Sequence, residues 1–387
     1  MLPYWRLSAY YFFYFAFVGA FAPYFSLYLA SLKFSAWEIG VVSSLMQLMR
    51  IVAPNLWGAM ADRSGRRAGI VRLSGALSVA SFLLFFGAAS FESVFVAMAC
   101  LAFCWSAALP LMESMTFAHL RATPARYGSV RMWGSVGFIV AVLALGQVLD
   151  YAPPSSVLWA SFATLIGIMI CAFTVPEAQA APDPALQPAR FANLLRDRRI
   201  VALLLSCLLM SAAHGALYVF YSIYLDTHGY TRSAVGWLWT LGVVAEILVF
   251  WRMPALLERF NERNVLLASY ACAVLRFVMI GWGIDHPVVV IAAQVLHGAT
   301  FGAFHAAAVA AINRLFVGRH QARGQALYSS LSFGAGGMLG GLVSGWFWDR
   351  AGAPLTYTLS SVFALAAYVA LARLWPRAQA RLQRDSA

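Results

Sequence analysis

Five charged side chains lie where charge is costly. Arg50, Glu113, Arg131, Glu246 and Arg276 each fall inside a long apolar run. A charge near the middle of a bilayer costs about 2.5–3.5 kcal/mol on insertion scales. Each must therefore pair, exchange a proton or line a wet cavity. Static pairing that holds two helices is one reading; ligand or ion handling is the default for ionisable groups at that depth. A carboxylate that an arginine attracts and apolar surroundings repel can exchange a proton when its partner moves. That chemistry makes Glu246 the candidate proton-coupling group, with Arg131 or Arg276 as its alternating partner. His214, His297 and His305 also lie in apolar runs. They are candidates for hydrogen bonding or proton relay, against the plainer reading of packed core histidines.

Aromatic residues add a possible ligand surface. Tyr10, Tyr14, Phe17, Phe21, Tyr24 and Tyr28 recur at helical spacing and form one stripe. His214, Tyr218 and Tyr221 make a partial copy. Such a stripe suits a flat apolar ligand, at about 0.5–1.5 kcal/mol per ring pair beyond area. Helix packing or a lipid face would use the same spacing. Trp37, Trp105, Trp159 and Trp346 fit interface anchors or packing. Ser-His-Asp groupings, metal-ligand spacings and nucleotide loops are missing from the sequence. The expectation is a protein that is not an enzyme and has no cofactor and no metal. Cys100, Cys104, Cys171, Cys207 and Cys272 sit within apolar runs as core thiols.

The elements that position these groups are long and apolar. Of 387 residues, 62% are hydrophobic and 11% charged, with a mean hydropathy of +0.74. Soluble domains carry about 25% charged residues, so the composition predicts a polytopic membrane protein. A spanning helix needs about 20 apolar residues. Twelve such runs are read: 7–31, 36–60, 70–91, 93–117, 129–149, 156–175, 200–225, 233–257, 264–284, 287–313, 325–348 and 355–375. No cleavable leader is expected, because the first run is too long for one.

A net charge of +12 could suggest nucleic acid, but its placement points elsewhere. Arg63, Arg66, Arg67 and Arg72 share one connection; Arg121 and Arg126 share another. Arg190, Arg196, Arg198 and Arg199 lie mid-chain, and Arg259, Arg263, Arg314, Arg319, Arg323, Arg377, Arg381 and Arg384 follow. Alternate connections hold little beyond Lys33, Arg232 and Arg350. This is the positive-inside pattern. It predicts an inner (cytoplasmic) membrane location with both termini cytoplasmic, the lipid bilayer as partner and no nucleic acid.

The chain also repeats itself. Gly19 and Gly215, Ser26 and Ser222, Tyr28 and Tyr224, Leu29 and Leu225, Gly40 and Gly236, and Gly128 and Gly324 are each 196 apart. Glu246 stands at the same offset from Arg50. Pro176 to Pro188 is Pro/Ala-rich and breaks the hydrophobic pattern where the repeat restarts. The expected division is a six-helix bundle over 1–175, a cytoplasmic linker over 176–199 and a second six-helix bundle over 200–387. Phe191, Leu194 and Leu195 fit a small surface helix in that linker. Gly337, Gly341 and Gly345 lie on one helix face and predict close helix packing, as do Gly134 and Gly137.

One stretch carries a family resemblance. Gly58-Ala59-Met60-Ala61-Asp62-Arg63-Ser64-Gly65-Arg66-Arg67 resembles the signature loop of the major facilitator superfamily. Glu258-Arg259-Phe260-Asn261-Glu262-Arg263 echoes it in the second half. The resemblance implies an all-α membrane protein, with twelve transmembrane helices in two pseudo-symmetric six-helix bundles and a midplane cavity, monomeric by default. It implies that Asp62 caps a neighbouring helix start as a gate and that Gly58 permits the approach. Arg63, Gly65, Arg66 and Arg67 complete that motif. It also implies that the first and seventh helices line the cavity, giving Tyr24, Tyr28, His214, Tyr218 and Tyr221 access to substrate.

A second resemblance narrows the expectation. Pro110-Leu111-Met112-Glu113 and Arg131 within Tyr127–Phe138 resemble the lactose-permease branch. There the matching glutamate and arginine pair in the substrate site. His297 matches that branch's tenth-helix histidine, whereas Thr300 stands where the branch has a carboxylate. Tyr127–Ser135, Ser233–Gly236, Leu241–Glu246 and Gln294–His297 resemble the 3-phenylpropionate transporter family. The function this implies is proton-coupled import of a small aromatic carboxylate by alternating access. Arg131 or Arg276 would hold the carboxylate, beside Glu113, and the aromatic stripe its ring, while Glu246, His297 and Glu113 are the candidates to handle the proton. A saccharide or nucleoside proton symporter, or a multidrug efflux antiporter, is the alternative. A sensor that binds without moving substrate is a further one.

Overall fold

The computed structural model describes residues 3–121, 123, 126–177 and 196–375. Phe191, Leu194, Leu195 and Arg190 in the expected linker, and the arginines at 377, 381 and 384, lie outside the described residues.

Ten described helices are long and apolar enough to cross a membrane. Two are double length. Arg232–Gly283 and Gln321–Leu374 each contain one residue with non-helical dihedrals, Asn261 and Gly352. Split there, the described residues form twelve spans. They are α1 (Tyr4–Ser31), α2 (Ala36–Ser64), α3 (Arg67–Gly87), α4 (Phe91–His119), α5 (Tyr127–Tyr151), α6 (Ser156–Thr174) and α7 (Arg198–Thr227). The rest are α8 (232–260), α9 (262–283), α10 (Pro287–Leu315), α11 (321–351) and α12 (353–374). In lipid backbone polar groups must be satisfied within the protein, and a continuous apolar run of this length does so within itself as a helix. Among the described residues there is no strand.

Local chemistry sets the ends. Ser35 and Glu38 form a capping box at the start of α2. Ser90 and Ser93 do the same for α4. Asp197 accepts from the Arg199 backbone N–H to start α7. At its far end α2 continues past Pro54 through Asp62 and Arg63. It stops at Gly65, whose φ of 63° is a left-handed C-cap. The basic motif is therefore mostly helix, with a two-residue turn at Gly65 and Arg66. Breaks fall where donors are lost or rings intrude. α1 turns at Ala22–Tyr24, around Pro23. α4 turns at Ser106 and Ala107, four and three residues before Pro110. α10 and α11 each contain a π segment, Gly298–Ala303 and Ser330–Gly336.

Two compact units form. The first comprises Met1–Asp183, Ala216–Val243 and Gly341–Arg350. Inside it α1 packs on α5 and α6, α3 on α4 and α6, and α2 on α4. With no hydrophobic drive between helices in lipid, close approach and hydrogen bonds hold such crossings. A Cβ on Gly19 would stand 2.5 Å from the Phe138 carbonyl oxygen, and one on Gly137 would overlap that of Phe12. The aromatic stripe is packed here: Tyr14 stacks on Trp105 at 4.8 Å, and Phe17 on Phe21 at 5.1 Å.

The second unit comprises Pro184–Gly215, Val244–Gly340 and Ala351–Ala387. Here the first part of α7 packs on the π segment of α11. Gly336 and Gly340 sit against the backbone of Leu208 and Ala212. Ser211 and Ser332 share a hydrogen bond of 2.8 Å, and the Tyr270 hydroxyl donates to Ser206 at 2.9 Å.

Candidate functional site

In the first unit, helices α1, α4 and α5 bring a polar group together inside an aromatic surround. The Tyr127 hydroxyl, at the start of α5, donates to Glu113 Oε1 of α4 at 3.3 Å. One turn along α5, the Arg131 guanidinium lies 3.9 Å from the Phe15 ring centroid and 5.9 Å from that of Tyr11. Such cation–ring contacts are worth about 0.5–2 kcal/mol, more as water is excluded. The Tyr11 hydroxyl donates to Thr116 at 3.2 Å. Among the described residues no carboxylate ion-pairs with Arg131. The two residues expected to pair, Glu113 and Arg131, instead hold a tyrosine and an aromatic face respectively. Both are half-buried. Tyr127 was not singled out by sequence, although its one-turn spacing from Arg131 was the available signal.

The aromatic candidates divide. Tyr24 is fully buried and its hydroxyl donates to the carbonyls of Val142 (2.8 Å) and Arg232 (3.3 Å). Tyr28 and Tyr221 are buried, the latter edge-on to Trp239. Tyr218 is 38% exposed and stacks on the same indole at 6.2 Å.

The basic motif lies at the end of α2. Arg67 reaches Asp62 at 3.4 Å and donates to Ser114 at 2.8 Å. The backbone N–H of Ala68 donates to both oxygens of Glu177, at 3.2 and 3.0 Å. Arg63 precedes the turn and Arg66 lies in it. Among the described residues no atom beyond its chain neighbours and its own helix backbone lies within 4 Å of where a Gly58 Cβ would stand, so the expected close approach is not made in this conformation.

In the second unit, a buried polar cluster is built around α9 and α10. Arg276 is 0% exposed. It donates to the Ala293 carbonyl (2.8 Å), Thr300 Oγ1 (3.0 Å) and Gln294 Oε1 (3.0 Å). Thr300 lies in the π segment, where the i→i+5 register widens the helix. His297 Nε2 is 3.9 Å from Glu246 Oε2, with Glu246 one-fifth exposed. Among the described residues His297 Nδ1 has no hydrogen-bond partner. A Cβ on Gly302 would meet Glu246 Cγ at 3.2 Å, so that glycine leaves room for the carboxylate. His214 Nδ1 shares a hydrogen bond with the Met210 carbonyl at 2.9 Å, and its ring meets Phe277 edge-on. His305 shares one with the Tyr328 hydroxyl at 3.0 Å. Gln294 and Thr300 were missed as partners of Arg276: they come from the next helix, and their spacing carries no motif. Among the described residues no cluster of His, Cys, Asp or Glu has metal-site geometry.

Residues 4–359 match the MFS_1 like family. The chain is similar to the probable 3-phenylpropionic acid transporter of Escherichia coli (strain K12), 30% identical over 329 residues, which is 84% of this chain and 86% of that protein. It is similar to the maltose permease of Geobacillus stearothermophilus, 26% identical over 370 residues, or 95% and 93% of the two chains. A crystal structure of a point mutant of the nucleoside transporter NupG has the same fold, with a TM-score of 0.86 at 19% identity over 96% of this chain and 100% of that one. Twelve apolar helices, a repeated half-chain and a family match over nearly the full length lead to one assignment: the chain belongs to the MFS_1 like family, and is a multi-pass membrane transporter of the major facilitator superfamily rather than an enzyme.

Proposed function

We propose that the protein imports a small aromatic carboxylate, such as 3-phenylpropionate, together with a proton, by alternating access. The observation that carries this reading is Arg131, a half-buried guanidinium lying on aromatic rings with no ion-paired carboxylate among the described residues. A carboxylate would find there a bidentate donor, and its ring would find Phe15 and Tyr11. The similarity to a probable 3-phenylpropionic acid transporter supports the same substrate class. Glu246 takes the proton, with His297 beside it. Arg276, whose donors already meet three neutral acceptors, positions His297 and the π segment of α10 rather than holding substrate. Asp62 and Arg67 act in gating. The two six-helix bundles span 1–175 and 200–387, joined by a cytoplasmic linker over 176–199. The monomer sits in the inner membrane with both termini cytoplasmic.

Uptake of labelled 3-phenylpropionate into proteoliposomes tests this directly. An inward proton gradient should drive accumulation. Arg131→Ala should reduce it by about 10–100-fold, the cost of losing charge-assisted hydrogen bonds worth about 1.5–3 kcal/mol. Glu246→Gln should abolish gradient-driven accumulation yet keep substrate exchange. No uptake by the parent protein would remove the aromatic-acid reading. Gradient-driven uptake of maltose or a nucleoside in its place would establish the second reading, which the similarity to maltose permease supports.

A further inference from the structure

The spacing Gly-x-x-x-Asp, seen at Gly58 and Asp62, occurs three more times at helix ends, at Gly281–Asp285 and at two sites that share a geometry. Gly146-Gln147-Val148-Leu149-Asp150 closes α5, and Gly345-Trp346-Phe347-Trp348-Asp349 closes the α11 helix. The residues of these two sites, and everything they touch below, belong to the first unit. Asp150 accepts from the backbone N–H groups of Arg232, at 2.7 Å, and Ser233, at 3.3 Å, the first residues of α8. Asp349 accepts from those of Ala36, at 3.0 Å, and Trp37, at 2.9 Å, the first residues of α2. Each carboxylate thus caps the start of a helix from the other half of the chain.

The glycines act one turn deeper. A Cβ on Gly146 would stand 2.8 Å from the Arg232 carbonyl oxygen, and one on Gly236 the same distance from that of Val142. In the other copy, a Cβ on Gly40 would stand 2.8 Å from the Gly341 carbonyl oxygen, and one on Gly345 would stand 2.7 Å from that of Ala36. The two sites correspond across the halves: 36 to 232 and 40 to 236 at the repeat offset of 196, and 146 to 345 and 150 to 349 at 199, three residues longer. Tyr24 braces one of them through its bonds to Val142 and Arg232. Arg232 adds a bond to the Leu149 carbonyl at 2.8 Å. Counting spans, all four helix ends lie on the face opposite the termini.

We propose that Gly146–Asp150 and Gly345–Asp349 form a paired latch that keeps this face shut. Four backbone donors at a helix start lack intrahelical partners, and a carboxylate there is favoured by the helix dipole. When the halves part on this face, water can take over as the partner of both groups. The contact is therefore strong enough to bias the closed form and weak enough to release in every cycle. The inference rests on the transporter fold, not on the substrate.

The test reads distance rather than activity. Ser155 and Thr227 are exposed and lie on this face, one in each half. In a background with the five native cysteines replaced, both become cysteine, carry nitroxide labels, and are measured by pulsed electron resonance in nanodiscs. The parent should give a short-distance population. Asp150→Ala with Asp349→Ala should move weight to longer distances, each removal raising the open-to-closed ratio about fivefold, as for loss of a helix cap. Asp→Asn at both sites keeps the acceptors and should stay near the parent. If the double alanine variant does not fold, the two single variants carry the measurement. An unchanged distance distribution accompanied by a lower melting temperature would overturn the latch and leave two ordinary caps.

Discussion

Arg276 donates three hydrogen bonds from a fully buried guanidinium, so its removal leaves three acceptors short at once. Arg276→Ala should destabilise the protein by about 3 kcal/mol or more, since each buried orphan costs about 1–3 kcal/mol. Arg276→Lys should recover only part, because an ammonium is a point donor without the planar fork. Thermal unfolding in detergent, read by tryptophan fluorescence, measures both. At this scale the sequence revealed that a charge must be satisfied, but not by what. Thr300, noted only as a carboxylate's absence, proves to be one of the three acceptors. Its hydroxyl reaches Arg276 across two helices, and no periodicity within one helix encodes that distance. Tyr24 shows the same limit: its place in the aromatic stripe was readable, its two carbonyl partners were not.

The glycines of α5 and α2 predict opposite sensitivities. Gly137→Ala puts a methyl against the Phe12 carbonyl and should cost about 1–3 kcal/mol, the usual cost of overpacking. Gly58→Ala meets open space and should change stability by less than about 0.5 kcal/mol. It should still slow transport if Gly58 closes on a neighbour elsewhere in the cycle. Melting temperature and initial uptake rate separate the two. Most elements were legible because a run of about 20 apolar residues admits one backbone solution in lipid. The glycine rows of α5 and α11 were legible as close crossings for a similar reason. The breaks in α1 and α4 and the π segments of α10 and α11 were not, since proline and register shifts perturb a helix without changing its hydropathy.

At the scale of the chain, the repeat and the arginine distribution argue together. The connections α1–α2, α5–α6, α7–α8 and α11–α12 carry few cations, while the alternate ones are arginine-rich. A cysteine placed at Ser155 should react with a membrane-impermeant maleimide in intact cells. One placed at Arg126 should react only after permeabilisation. The reverse pattern would invert the topology. The family was legible in the basic motif, because a whole superfamily shares it. Substrate identity was not, because it depends on which side chains face the cavity, and three of the four tyrosine candidates turn out to be buried.

The burial of Arg276 also bears on how the chain is made. α9 reaches the bilayer before α10 exists, carrying an arginine whose acceptors Ala293, Gln294 and Thr300 belong to α10. Alone, that helix faces an insertion penalty of about 2.5–3.5 kcal/mol for the charge. A three-residue connection, 284–286, separates the two helices. The hairpin, rather than the single helix, is the unit that lipid accepts. Changes at Gln294 or Thr300 would then show first as chains that fail to enter the membrane during synthesis, before any finished transporter is assayed.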